Sequence, residues 1–276
     1  MNTTRRRTTL LGALLPLALG TAACDDSATG PNGVATVAIA FAAAAPSASS
    51  AAYAPTSSHD GGSIVVTGSN GTLEITDIRF IVAEFELEHV DRVDDCDASG
   101  TGNPCREFRI PPHFVDLPLT GGPLSVGADE VPAGSYEELE FEIEDLEDDE
   151  EDPEKAQQIE ALMNAIRAEF PDWPDKAAMR LTGTFTPTDG ETAPFAVYVD
   201  AEVEIELEFA QPLVIADSAE NRTVTVQIDP NGWLARGDGT VVNLAEYDYE
   251  TTGTLLEFEV EIENGFTEIE HEDDGA

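Results

Sequence analysis

Basic residues are scarce in this chain of 276 residues: 13 Lys and Arg stand against 56 Asp and Glu, a net charge of −43 at pH 7. That deficit excludes ordinary nucleic-acid binding, because a phosphate backbone would be repelled over the whole surface. It also disfavours direct binding to anionic lipid headgroups. Histidine is limited to His59, His89, His113 and His271, each without a nearby His partner. There is no His-Glu-x-x-His helix motif, no Gly-x-Ser-x-Gly elbow and no Walker loop. Beyond Met1 only Met163 and Met179 remain, so a Met-rich copper site has no support. No apolar run approaches the roughly 20 residues that a spanning helix needs. With 56 acids available, any one carboxylate pair chosen for hydrolysis would be arbitrary, and the chain reads as a non-enzyme.

What is present is enough for a fold. Hydrophobic residues make up 41% of the chain, which excludes a fully disordered acidic tail. The length suits one sizeable core or two small ones.

The N-terminus reads as an export signal. Arg5, Arg6 and Arg7 precede the short apolar run Leu10 to Leu19, and Gly20-Thr21-Ala22-Ala23 leads into Cys24. This ending resembles the bacterial lipobox, with Thr21 where Leu is usual, and implies that residues 1–23 are removed and Cys24 is lipidated, palmitate included. The alternative is a plain secretory signal cut near Ala23. Cleavage leaves 10 basic and 56 acidic residues, hence a net charge of −46. The acyl chains would be the only membrane tether, placing the protein on a bacterial membrane at the periplasmic or cell-surface face. Cys96 and Cys105, with eight residues between them in an exported chain, read as a disulfide closing a loop; the rival is a metal pair, which lacks further Cys or suitably spaced His.

Residues 24–33 form a polar tether, and Val34 to Phe41 reads as a first strand. Residues 42–62 are rich in Ala, Ser and Pro and read as a loose insertion. Leu73 to His89 is a long strand or a bent pair whose apolar residues fall on both parities, the mark of a bulge or of burial on both sides. Three stretches alternate strictly between apolar residues and glutamate: 138–144, 202–209 and 257–263. That period of two demands strands with one face on a core and the other in water. Further strands are expected at 114–119, 178–186, 192–200, 223–228 and 241–244. One helix interrupts within a 145–177 insertion. Asp152-Pro153 suits its start, Ala156, Ile159, Leu162, Met163, Ile166 and Phe170 give its apolar stripe, and Pro171 stops it. The expected fold is an all-β, antiparallel β-sandwich over 34–264 with one inserted amphipathic α-helix, followed by an acidic tail at 265–276.

Three segments carry a resemblance. They are Leu73 to Phe80 leading into Glu84-Phe85-Glu86-Leu87; Val115-Asp116-Leu117-Pro118-Leu119 followed by Val131-Pro132-Ala133-Gly134-Ser135-Tyr136; and Met179 to Phe185. Over about residues 34–235 the chain resembles the bacterial lipoproteins classed as domain of unknown function 4382. The resemblance implies a prealbumin-like (transthyretin-like) sandwich and no known catalytic residues. A copper-binding periplasmic family shares the strand, Val-Pro-Ala-Gly-x-Tyr-like turn, strand pattern, but its His- and aromatic-rich metal sites have no counterpart here.

Two binding readings follow from the residues. Asp95, Asp97 and Ser99 form the first half of an Asp-x-Asp-x-Ser-Gly calcium loop, although Arg106 stands where a bidentate Glu belongs. The Glu-faced strands read either as a solvated acidic surface suited to salt or as weak Ca²⁺ binding. Trp173 and Trp233 read either as sugar-stacking platforms of an adhesin for glycans or envelope proteins, or as plugs closing the sandwich. The expected state is a monomer or a weakly associating chain, with no cofactor other than a candidate Ca²⁺.

Overall fold

The computed structural model describes residues 34–44, 56–60, 62–90, 108–120, 122–146, 153–216, 221–258 and 262–273. The signal, the tether and the Cys96–Cys105 loop lie outside the described residues.

The fold is an all-β sandwich of three sheets. The first has the order β14 (Phe266–Asp273), β12 (Arg222–Ile228), β1 (Val34–Ala43), β7 (Leu124–Pro132). The second runs β13 (Leu256–Glu257), β10 (Ala193–Asp200), β9 (Met179–Pro187), β4 (Gly71–Val82), β3 (Ser63–Gly68), β2 (Thr56–Asp60), with β6 (His113–Asp116) also pairing with β4. The third is β11 (Val203–Ile215), β8 (Gly134–Ile143), β5 (Phe85–His89). Pairing is antiparallel except for β1 with β12 and β10 with β13. Those parallel pairs join strands far apart in sequence, as crossover connections require.

Phe41 marks where the layers meet. Its ring stands edge-on to Phe80 of β4 at 5.4 Å and to Phe141 of β8 at 5.5 Å. One aromatic thus ties together all three sheets, each contact gaining from edge-to-face geometry beyond plain burial.

The mixed parity of residues 73–82 comes from a bulge. Ile75 pairs with Gly183 and Asp77 with Thr182, so Thr76 is an extra residue. Leu73 and Ile75 before it, and Ile78 and Phe80 after it, are therefore all buried in the same core. Past the bulge, Asp77, Arg79 and Ile81 take the other face, where the helix α1 (Pro153–Glu169) packs. Ile81 joins Ile159, Met163, Ile166, Trp173 and Tyr198 in a second, smaller core. Arg79 and Arg180 lie opposite each other across β4 and β9. Asp77 accepts from both, at 3.1 and 2.9 Å, and both guanidinium groups lie over the Phe170 ring, at 4.8 and 4.9 Å. The shared carboxylate and the aromatic face offset the like-charge pairing.

Four expectations need correction. The loose insertion 42–62 is strand at both ends, since β1 continues to Ala43 and β2 pairs with β3. The acidic tail carries β14: Ile228 pairs with Phe266 and Val226 with Ile269, and a bulge between them turns two apolar residues three apart onto one buried face. The described residues of the Glu-alternating stretch 257–263 are not one strand: among them Leu256–Glu257 pairs with β10, whereas Ile262 and Glu263 are helical, and the Ile262 amide donates to the Phe258 carbonyl at 3.1 Å. Residues 241–244 give only an isolated bridge, Val241 with Ala235, before a 3₁₀ turn at Leu244–Tyr247.

The Val131–Tyr136 motif is a tyrosine corner. The Tyr136 hydroxyl donates to the Pro132 carbonyl at 2.9 Å, its ring stands edge-on to His89, and Gly134 lies so close to His89 that a Cβ would overlap the imidazole.

Candidate functional site

The sheet β11-β8-β5 presents the one strongly patterned surface of the described molecule. Its inner face is apolar: Leu139, Phe141 and Ile143 of β8, Val203 and Ile205 of β11, and Phe85 and Leu87 of β5 are buried. Because side chains alternate, every intervening glutamate points outward. The register then sets these glutamates opposite one another. Glu140 is flanked by Glu86 and Glu206, and Glu138 by Glu88 and Glu208. Glu142 is opposite Glu204, and its amide donates to the Glu84 carbonyl on the other side at 3.2 Å. Three rows of three carboxylates result, in the arrangement that sheet pairing ordinarily avoids.

The electrostatics follow from that register. Partial burial, then the charges of Glu204 and Glu86, push the Glu140 carboxyl up to about 7, and its carboxyl hydrogen-bonds to that of Glu204. Burial and the charge of Glu142 raise Glu144 to about 7 as well. Glu138 and Glu142 are raised by the same causes, burial first and neighbouring carboxylates second. Lys155, from the first turn of α1, supplies the opposing charge: its Nζ lies 3.3 Å from Glu84 Oε2, and its field lowers Glu142 and Glu144.

Three shallow clefts border this face. One of about 310 Å³ lies between Glu84, Phe85, Arg109 to Pro112, Lys155 and Gln158. One of about 300 Å³ is lined by Glu204, Glu206, Glu263 and Phe266. One of about 200 Å³ is lined by Glu142, Glu144, Glu202 and Glu204. Among the described residues no three His, Cys, Asp or Glu side chains converge closely enough to hold a metal ion.

Two of the three Glu-alternating stretches read from the sequence do come together, as β8 and β11. The third partner is β5, which with the preceding Glu84 carries the same alternation, Glu84-Phe85-Glu86-Leu87-Glu88, in fewer residues. Cys24, Cys96, Cys105, Asp95, Asp97 and Ser99 lie outside the described residues. The four histidines do not gather: His89 is edge-on to Tyr136, His113 Nδ1 is 2.8 Å from the Pro111 carbonyl, His271 lies against Phe209, and His59 is in β2. The tryptophan platforms are overturned. Trp173 and Trp233 are buried, and their indole N–H groups donate to the carbonyls of Ala177 and Ile262 at 2.9 and 2.8 Å. Both close the core.

No protein-family model matches the chain, and no curated protein matches it. Among solved structures, MbnP from Methylosinus trichosporium is similar at 15% identity and a TM-score of 0.33, over 73% of this chain and 77% of that one. No helix of the described residues is long and apolar enough to cross a membrane.

Proposed function

We propose that the protein is an exported, lipid-anchored, non-catalytic β-sandwich of the bacterial cell envelope, whose Glu-faced sheet collects divalent cations weakly and diffusely. The observation that carries the cation reading is the register itself, which places Glu86, Glu140 and Glu206 in one row between two further carboxylate rows. Such a face is strained by its own charge at neutral pH, and protons, Ca²⁺ or Mg²⁺ relieve it. Carboxylate oxygens are the ligands that hard cations prefer. The binding is delocalised, in keeping with the lack of a compact ligand set among the described residues. The anchor is supported by the order of Arg5 to Arg7, the apolar run and Cys24.

The test is the melting temperature of residues 25–276 in CaCl₂, MgCl₂ and NaCl at matched ionic strength. A larger rise in the divalent salts, reduced in Glu140→Gln, is the expected result through linkage. An equal rise in all three salts would mean plain screening and would remove the cation reading. The anchor is checked separately, by palmitate labelling that disappears in Cys24→Ala.

A further inference from the structure

The large apolar side chains that remain exposed are not scattered. Among the described residues they are Val34 (41%), Val90 (41%), Leu124 (36%), Val214 (59%) and Tyr247 (37%). Register places three of the five at one end of the sandwich. Val214 is opposite Ser135, and the Val90 amide donates to the Ser135 carbonyl at 2.9 Å from the other side. Val90, Ser135 and Val214 thus form a further row on the sheet β11-β8-β5, beyond the row Glu88, Glu138, Glu208. Val34 is opposite Pro132, two residues before the start of that row's strand. Leu124 is opposite Phe41, at the other end of β1, about 23 Å away at the rise of an extended strand.

This apolar end is the end at which the chain enters the fold. Nine residues lie between Cys24 and Val34, and the ten residue-to-residue steps, fully extended, reach at most about 35 Å. We infer that the Val34, Val90 and Val214 end rests on the bilayer that holds the lipid, so that the sandwich stands on this end with its carboxylate rows stacked above the membrane, Glu88, Glu138 and Glu208 lowest. The inference depends on lipidation of Cys24. Such a contact is too small to bind a membrane alone. A tethered domain needs little more, because a short linker keeps its local concentration in the millimolar range. Charge selects the lipid. With Glu88, Glu138 and Glu208 one row behind the valines, a zwitterionic headgroup is tolerated and an anionic one repelled.

The test uses the full chain, lipidated in a bacterial host and reconstituted into phosphatidylcholine vesicles with brominated acyl chains. Val214→Trp and Leu124→Trp report the two ends, over the constant background of the buried Trp173 and Trp233. About a twofold loss of the added emission is expected for Val214→Trp and none for Leu124→Trp, since an interfacial contact buries side chains only to the headgroup boundary. A second protein, Val34→Trp carrying Val90→Glu and Val214→Glu, is expected to float with the vesicles but lose its quenching. Equal quenching at both ends, or flotation with no quenching at either, would overturn the orientation and leave the anchor standing. Failure to float would remove the anchor, and this inference with it.

Discussion

Asn70 acts as a strand edge for Val241, 171 residues away. Its Nδ2 donates to the Val241 carbonyl and its Oδ1 accepts from the Val241 amide, both at 2.8 Å. The amide side chain thereby satisfies both backbone groups of a residue whose segment has only the isolated bridge to Ala235. It fastens the 235–241 turn to the β3–β4 hairpin, where the Ser69 amide also donates to the Gly239 carbonyl at 2.8 Å.

Asn70→Ala should therefore cost about 2 kcal/mol, because two part-buried backbone groups lose their partner at once. Asn70→Asp should also destabilise, since a carboxylate would then face the Val241 carbonyl. Urea unfolding of both variants checks this. A cost below about 0.5 kcal/mol for Asn70→Ala would mean that water replaces the side chain freely.

Gly265 is required by Trp233. A Cβ at residue 265 would overlap the indole ring, and Gly232 is held against the Asn264 backbone in the same way. Gly265→Ala should cost about 3 kcal/mol, as overpacking against a buried ring does. A reduced melting temperature and a shifted Trp233 emission are the expected readouts.

The tyrosine corner gives a spectroscopic signature. Burial pushes the Tyr136 phenol up to about 12, above its ordinary value. Its contribution to stability is full below the unfolded value near 10 and is lost as pH rises through the folded one. In absorbance titration one of the five tyrosines should ionise late, and Tyr136→Phe should remove that late step. The same variant should lose about 1 kcal/mol, the net value of a hydrogen bond to Pro132.

The carboxylate rows set the pH profile. Folded Glu140 and Glu144 are raised to about 7, so the native state holds protons that the unfolded chain has released. Stability is fullest at and below the unfolded carboxylate range and falls as pH rises through about 7. The melting temperature should be several degrees higher at pH 5.5 than at pH 8, flattened by salt and by Glu140→Gln, which should stabilise at pH 8. A melting temperature that climbs from pH 5.5 to 8 would contradict the proposed repulsion. Asp248 opposes the trend only at lower pH. The Ala196 amide and Thr251 hold its carboxyl below the ordinary range, so its share of stability is lost in acid.

Sequence alone determined the class of fold, because strict apolar–Glu alternation has one physical solution: a strand with one wet face and one dry one. It also determined the helix, whose stripe from Ile159 to Phe170 packs as its spacing implies. Tertiary structure decided what sequence could not. The mixed parity of β4 was legible as a bulge or as burial on both sides, and the structure put the bulge at Thr76; the bulge beside Phe266 breaks the period of two and left the whole of β14 hidden. The choice of β5 rather than residues 257–263 as the third Glu-bearing strand was equally hidden. Alternation states that a strand has two faces but not which strand lies beside it. Local turns compete as well: the Ile262 carbonyl accepts from both the Trp233 indole and the Gly265 amide, and residues 262–265 form a turn where alternation reads strand. Register, not composition, turned a general excess of acid into three opposed rows ending in a row that carries Val90 and Val214.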